Sequence, residues 1–380
     1  MSTILVVTHS ASPGGAELGL LRYLRARSAT SAHRFHVLIG AAGWLAEALA
    51  ELDVDVTVVP HSAGPRGTLR ATSAVRRLVR ELDPGLVLSN SMRAATWVLA
   101  ARVRRARHVL YVQDLIRGGY FSARRGLLVE RVILPSCGYF LWNSEATRAS
   151  APPSAAGRSG AVVYTMSGAS AAGVSRPVEP TAGSLRVLSM SRLASWKGVH
   201  VLLEAVAQVR ADAPDLDLEV TVAGGAFFGE EAYRDALLRT VSDEDLPVRM
   251  VGHVQDVEPL LDQADVLVHC SVTPEPFGQV IVQALAAGRA VVATRGGGPA
   301  EIVQDSIDGL LYDPGDARAL ATVLMTLARD PDRLQSLCAS GRTAASRFTD
   351  DAVATLIDDA LSDALLTATA EGARTWRASR

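Results

Sequence analysis

Lysine is almost missing from this sequence: 37 of its 38 basic residues are arginine, and Lys197 is the one exception. A coding bias toward arginine accounts for the general pattern. The surviving lysine then marks a position needing a compact point charge that a planar guanidinium cannot mimic, or else survives by chance. Cysteine is scarce as well. Cys137, Cys270 and Cys338 are odd in number and far apart, which excludes a disulfide framework and offers no zinc-ligand spacing. A reducing cytoplasm is the expected compartment. No stretch reaches the ~18 uninterrupted apolar residues of a membrane helix; even 280–293 is broken by Gln283 and Arg289. The opening residues, MSTILVVTHS, have no basic segment and too short an apolar run for a secretory leader. Aromatic residues make up only 5% of the chain, yet 48% is hydrophobic, which argues against disorder and fits a soluble α/β protein.

A length of 380 residues suits two domains better than one. Charge divides along the chain in the same way. Residues 1–180 hold 21 arginines against 11 acidic residues, whereas the remainder holds 17 basic against 29 acidic. Halves of opposite sign imply domains with different partners.

Short apolar runs alternate with helical periodicity throughout. Strands are expected at 4–8, 35–39, 54–59, 85–88, 109–112 and 139–142, with helices at 18–26, 44–52, 72–82 and 124–134. From 149 to 184 the chain turns small, Pro/Gly/Ser-rich and aperiodic around a brief strand at 161–165, the signature of a linker. Alternation then restarts, with strands at 185–190, 218–223, 248–251, 266–269 and 290–293. Helices are expected at 199–210, 231–241, 256–264, 279–287, 316–329 and 350–366, and 367–380 reads as frayed. The expected fold is α/β, with two doubly wound parallel sheets in tandem. The boundaries are 1–165 for the first domain, 166–184 for the linker, 185–350 for the second domain and 351–380 for a C-terminal helix and tail packing back on the first. Open parallel sheets bind ligands at the carboxyl ends of their strands, so the loops there matter most.

Three such loops carry chemistry. Gly14-Gly15-Ala16-Glu17 joins the first strand to the first helix; its glycines allow close backbone approach and its helix start favours an anion, although a tight turn explains it as well. It lacks the G-x-G-x-x-G spacing, and Gly40 ends the next strand where a ribose-binding acid would stand, which disfavours a dinucleotide oxidoreductase. In Arg192-Leu193-Ala194-Ser195-Trp196-Lys197-Gly198, two cations beside a helix start form a clamp for a departing diphosphate, if they are not simply a solvated basic loop. In Thr273-Pro274-Glu275-Pro276-Phe277-Gly278, a carboxylate held between prolines at a sheet edge precedes a helix start. A carboxylate there can accept hydrogen bonds from sugar hydroxyls. A capping role fits less well, because the cap position falls two or three residues later. A fourth loop, TRGGG at 294–298, is a weaker sign of close ligand approach.

The run from Val251 to Val303, containing EPFGQVIVQALAAGRAVVATRGGGPAEIV, resembles the donor-binding domain of glycosyltransferase family 4. So do RLASWKG, VTVAGGA and DGLLYDPGD, and in the first half GGAE and NSEAT. The resemblance implies the GT-B fold, with two Rossmann-like domains facing across a cleft. It also implies retaining transfer from a nucleoside diphosphate sugar to an acceptor hydroxyl, with no cofactor and no essential metal. Carried over by residue, Arg192 and Lys197 bind the diphosphate and Glu275 the donor sugar. The backbone of Phe277, Gly278, Gln279 and Val280 lines sugar and phosphates, Gly224 belongs to the donor site, and His253 and Val254 contact the base. Gly14 and Gly15 close on the donor from the other domain, while Asn90, Gln113 and Asn143 position sugar or acceptor.

Two residues depart from the family pattern. The second glutamate of the acidic motif is replaced by Gln283, which still hydrogen-bonds a ribose diol but without charge assistance. A histidine expected after the strand at 109–112 is replaced by Gln113; His108 and His9 lie nearby but neither holds that position. Retaining chemistry in which the leaving phosphate takes the acceptor's proton tolerates this change. The alternatives are a non-transferring nucleotide-sugar epimerase and a nucleotide-sugar-binding protein whose catalysis has decayed. Eight arginines between Arg102 and Arg131 are either a solvated face, the simpler reading, or an attraction to an anionic acceptor or to the inner membrane surface. If the lone lysine is functional, Lys197→Arg markedly impairs transfer despite keeping its charge; full activity in a steady-state assay refutes that reading.

Overall fold

The computed structural model describes residues 2–52, 54–59, 64–117, 121–169, 178–227 and 229–378, side chains at 106, 123 and 371–378 excepted. The chain divides into two compact units, Met1–Gly168 with Asp350–Arg380, and Ala169–Thr349. Of the linker expected at 166–184, residues 170–177 lie outside the described residues.

The first unit is built on seven parallel strands: β1 Ser2–Thr8, β2 His33–Ile39, β3 Asp55–Val58, β4 Leu86–Ser89, β5 His108–Val112, β6 Tyr139–Trp142 and β7 Gly160–Val162. Their order is β3-β2-β1-β4-β5-β6-β7. The second unit has six parallel strands: β8 Ser184–Met190, β9 Asp217–Ala223, β10 Val248–Gly252, β11 Val266–His269, β12 Ala290–Thr294 and β13 Leu310–Tyr312, in the order β10-β9-β8-β11-β12-β13. The inner strands are covered on both faces, so β4, β5, β6, β11 and β12 are buried at every position. That burial selects the apolar, β-branched runs by which they are recognisable. Strand addition reverses at β1/β4 and at β8/β11, and a doubly wound sheet opens a crevice at each such reversal.

Several elements differ from expectation. Helices Met92–Ala100, Glu145–Ala149 and Pro331–Ala345 and strand β13 were not anticipated. The segment expected as one helix at 124–134 is a helix at Ala123–Leu128, a π turn at Val129–Ile133 and a 3-10 turn at Leu134–Ser136. The expected fraying from 367 is corrected: the last helix runs Asp350–Ala378. Alanine at 364, 368, 370 and 373 keeps helix propensity high, enough to tolerate Gly372.

That last helix belongs to the first unit's core. Val353, Ala354, Ile357, Ala360, Leu361 and Ala364 are buried in one cluster with Ile4, Leu24, Leu86 and Tyr139. The Tyr23 hydroxyl and Arg27 Nε donate to Asp358 at 2.7 Å each, and the Tyr139 hydroxyl donates to Asp363 at 2.8 Å. The helix therefore completes the core. Leu361→Ala, at a fully buried site, is expected to cost about 2–5 kcal/mol, read as a lowered midpoint of the first unit's transition in urea.

Candidate functional site

In the second unit Val187 pairs with Val266 and Leu188 with Leu267, so the loops after β8 and β11 leave the sheet at the same level. The first loop descends through a 3-10 turn, Ser195–Lys197, to Gly198, whose φ of 68° is left-handed. A Cβ at Gly198 would run into the carbonyl of Cys270, so only glycine lets the two loops touch. They are joined there by backbone: Val272 N–H donates to the Trp196 carbonyl at 2.9 Å.

This junction brings together two residues that the sequence assigned to separate tasks. Lys197 Nζ lies 2.5 Å from Glu275 Oε2, with 15% and 13% of the two side chains exposed. Lys197 Nζ also sits 4.3 Å from the Trp196 ring centroid, with Arg192 Cζ 5.6 Å from the same centroid. Both expected cations thus flank one indole.

A second layer supports the carboxylate. Ser271 Oγ donates to Glu275 Oε2 at 3.2 Å, His269 Nε2 lies 3.1 Å from Ser271 Oγ and 3.5 Å from Glu275 Oε2, and Thr294 Oγ1 lies 3.3 Å from His269 Nδ1. With the proton on Nε2, these groups form one directed chain from Thr294 through His269 and Ser271 to Glu275. Burial alone would raise the Glu275 carboxyl. The Lys197 charge, reinforced by His269, outweighs it and holds the group well below the usual carboxylate range. His269, Ser271 and Thr294 were not singled out from sequence. The available signal was a histidine at the last position of an apolar parallel strand, six residues before the key glutamate.

The helix Gln279–Ala286 follows, with left-handed Gly278 (φ 111°) at its N-cap and no capping side chain. Gln279 and Gln283, one turn apart, are half-buried on the same face, while Ile281, Val282 and Leu285 are buried in the core. The Phe277 ring is buried against Phe348 at 6.0 Å, leaving its backbone as the part at the edge. The glycines at 297 and 298 have a structural cause: a Cβ at either would strike the Glu275–Phe277 backbone, and Gly298 N–H donates to the Glu275 carbonyl at 2.8 Å. Gly224 likewise lets the loop after β9 press against the Ser191 carbonyl. His253 is exposed beside Phe227, their rings 5.6 Å apart, and Val254 is half-buried next to it.

At the edge of the first unit, Asn90, Gln113 and Asn143 form one network after β4, β5 and β6. Gln113 Nε2 donates to Asn90 Oδ1 at 3.1 Å, Asn143 Nδ2 to the Gln113 carbonyl at 3.2 Å, and Asn90 Nδ2 to the Ala16 carbonyl at 3.2 Å. Gly14 caps the helix Gly15–Arg27, and Glu17 folds back so closely that a Cβ at Gly14 would meet its carboxyl. Glu17 is 6% exposed, and burial pushes it up to about 7; the sequence marks it only as the last residue of the GGAE loop, with no role of its own. His108 is a core residue, 2.9 Å from Ser89 Oγ, lowered to about 4 by burial. His9 Nδ1 lies 2.9 Å from Ser91 Oγ.

A family model described as "Glycosyl transferases group 1" matches residues 184–330. The match lies within the second unit. The lipopolysaccharide core biosynthesis glycosyltransferase LpsE of Rhizobium meliloti is 33% identical over 170 residues, 44% of this chain and 46% of that protein. D-inositol 3-phosphate glycosyltransferase of Arthrobacter sp. is 34% identical over 151 residues, 40% of this chain and 36% of that protein. Each match spans less than half of the curated relative. Structural similarity reaches further and includes the first unit. HepE of Anabaena, solved with UDP and glucose, superposes with a TM-score of 0.80 at 25% identity, covering 96% of this chain and all of that one. Sucrose-phosphate synthase of Thermosynechococcus elongatus gives 0.77 at 19% identity over 97% of this chain and all of that one. The two units have the fold of GT-B glycosyltransferases, and Lys197 and Glu275 lie inside the matched residues 184–330. Among the described residues, no helix is long and apolar enough to cross a membrane.

Breaking the central ion pair leaves a buried carboxylate without its cation. Lys197→Met is expected to destabilise the second unit by about 3–5 kcal/mol. The loss should be larger near about pH 8 than near about pH 5, because an orphaned buried acid gains from protonation and a raised folded pKa costs stability as pH rises. Urea titrations at the two pH values measure both.

Proposed function

We propose that this chain is a retaining glycosyltransferase of the family 4 type, moving a sugar from a nucleoside diphosphate sugar to an acceptor hydroxyl. The observation that carries this reading is the Lys197–Glu275 pair at the carboxyl edge of the second unit, 2.5 Å apart and set before a bare helix start. A carboxylate held ionised beside a lysine is an acceptor for sugar hydroxyls, and Ser271 and His269 fix its orientation. One N–H of Lys197 is committed to Glu275. The ammonium's other two, Arg192 and the backbone at Gly278–Val280 are assigned to the diphosphate, whose charge grows as the glycosidic bond breaks. Gln283 is assigned to the ribose through neutral hydrogen bonds.

The chemistry assigns no metal a role, because fixed cations and helix N–H groups meet the developing charge. The leaving phosphate oxygen takes the acceptor's proton on the same face of the sugar, so Gln113, Asn90 and Asn143 position a substrate and need not titrate. HepE was solved with UDP-glucose, which makes uridine diphosphate sugars the first donors to test. Thermal stabilisation by a panel of nucleoside diphosphates and sugar nucleotides identifies the base.

Glu275→Ala is expected to lower transfer by about a hundredfold or more while nucleoside diphosphate binding, measured by calorimetry, stays largely intact; loss of nucleotide binding alone contradicts the role given to Glu275. NMR of the product should show the donor's anomeric configuration, and inversion overturns the mechanistic class. Release of nucleoside diphosphate without an acceptor, accompanied by sugar isomerisation, would make the chain an epimerase instead.

A further inference from the structure

The donors that reach the Glu275 carboxylate all reach the same oxygen. Lys197 Nζ, Ser271 Oγ and His269 Nε2 lie 2.5, 3.2 and 3.5 Å from Oε2. Oε1 receives no hydrogen bond among the described residues. Nor is it a sealed orphan: buried side-chain atoms without a partner occur, among the described residues, on Thr8, His33, Thr72, Ser191 and Arg289, and Glu275 keeps 13% of its side chain exposed. An oxygen offers two lone pairs, so Oε2 is spent and Oε1 is the acceptor left over.

Ser271 stands between the histidine and the carboxylate. The Nε2 proton of His269, 3.1 Å away, occupies a lone pair of the Ser271 hydroxyl and directs that group's single proton to Glu275. Thr294 Oγ1, 3.3 Å from Nδ1, donates to the other ring nitrogen and so keeps the proton on Nε2. The chain runs inward, for Thr294, His269 and Ser271 are 3%, 5% and 0% exposed. It therefore orients the carboxylate and is no route for a proton to solvent. Packing alone calls for another aliphatic side chain here, since Val266, Leu267 and Val268 precede His269 on β11.

We propose that His269 is a positioning residue: acting through Ser271, it turns Oε2 of Glu275 inward and leaves Oε1 alone to accept from one hydroxyl of the donor sugar. This rests on the transferase reading given above and adds to it which oxygen meets the sugar and which side chain decides that.

Calorimetry on the full chain with UDP and with UDP-glucose tests it, because only the second carries the hydroxyl. His269→Leu is expected to weaken UDP-glucose about tenfold or more relative to UDP, with UDP affinity unchanged. His269→Gln, whose amide puts an N–H close to the Nε2 position, should recover most of that ratio. A histidine that only fills space predicts the opposite order, since leucine packs better than glutamine in an apolar strand. Glu275→Gln should lose the ratio as His269→Leu does: three donors hold its amide oxygen inward, and an NH2 group then faces the hydroxyl. Independently of any variant's folding, 15N spectra of the parent should show the His269 proton on Nε2, and a proton on Nδ1 alone overturns the assignment. A parent that binds both ligands, with the ratio unmoved by His269→Leu, overturns the role of His269 and leaves the transferase reading standing. A parent that binds no sugar nucleotide overturns that reading, and this inference with it.

Discussion

Where strand addition reverses in a doubly wound sheet, the loops on either side of the reversal turn toward opposite faces and leave a gap between them. In the second unit that gap lies between β8 and β11, and its two loops are tied back together by Lys197 and Glu275. The rest of the site depends on this tie. Gly198 exists because the loops touch, His269 and Ser271 brace the carboxylate, and the glycines at 297 and 298 let the neighbouring turn close over the same backbone. Removing either charge would leave the other stranded in a nearly dry place, so the site's stability and its proposed chemistry share one contact.

The first unit solves the same topological problem with different chemistry. Its reversal lies between β1 and β4, and its edge is held by neutral amides, Asn90, Gln113 and Asn143, linked in series. Glu17 is its buried acid, and burial moves it toward neutrality rather than away from it. The contrast follows from the partners available. A carboxylate beside an ammonium stays charged, while one folded over a glycine turn without a cation does not.

Much of this was legible in the sequence because parallel strands buried on both faces must be apolar runs, and because Lys197 and Glu275 sit among prolines and glycines that punctuate the chain. The remainder was hidden for equally physical reasons. His269 ends an apolar strand and looks like a core residue until the loop folds back on it. The helix Pro331–Ala345 buries Leu334, Leu337, Cys338, Gly341 and Ala345, a seam too small in its side chains to show strong periodicity, and Gly341 is needed where Leu285 presses in. The coupling of Lys197 to Glu275 spans 78 positions, so each residue could be assigned a task while the bond between them could not be read.

The last helix sets an order of events during synthesis. The first unit's core is closed by Val353, Ile357 and Leu361, which leave the ribosome only after all of Ala169–Thr349 has been made. The N-terminal sheet must therefore wait, unfinished, while the interposed domain acquires its full complement of strands. Domains usually fold as they emerge, N-terminal first; here the second to begin is the first able to finish. Until then the apolar surface around Leu24 and Leu86 lacks the helix that covers it in the finished protein.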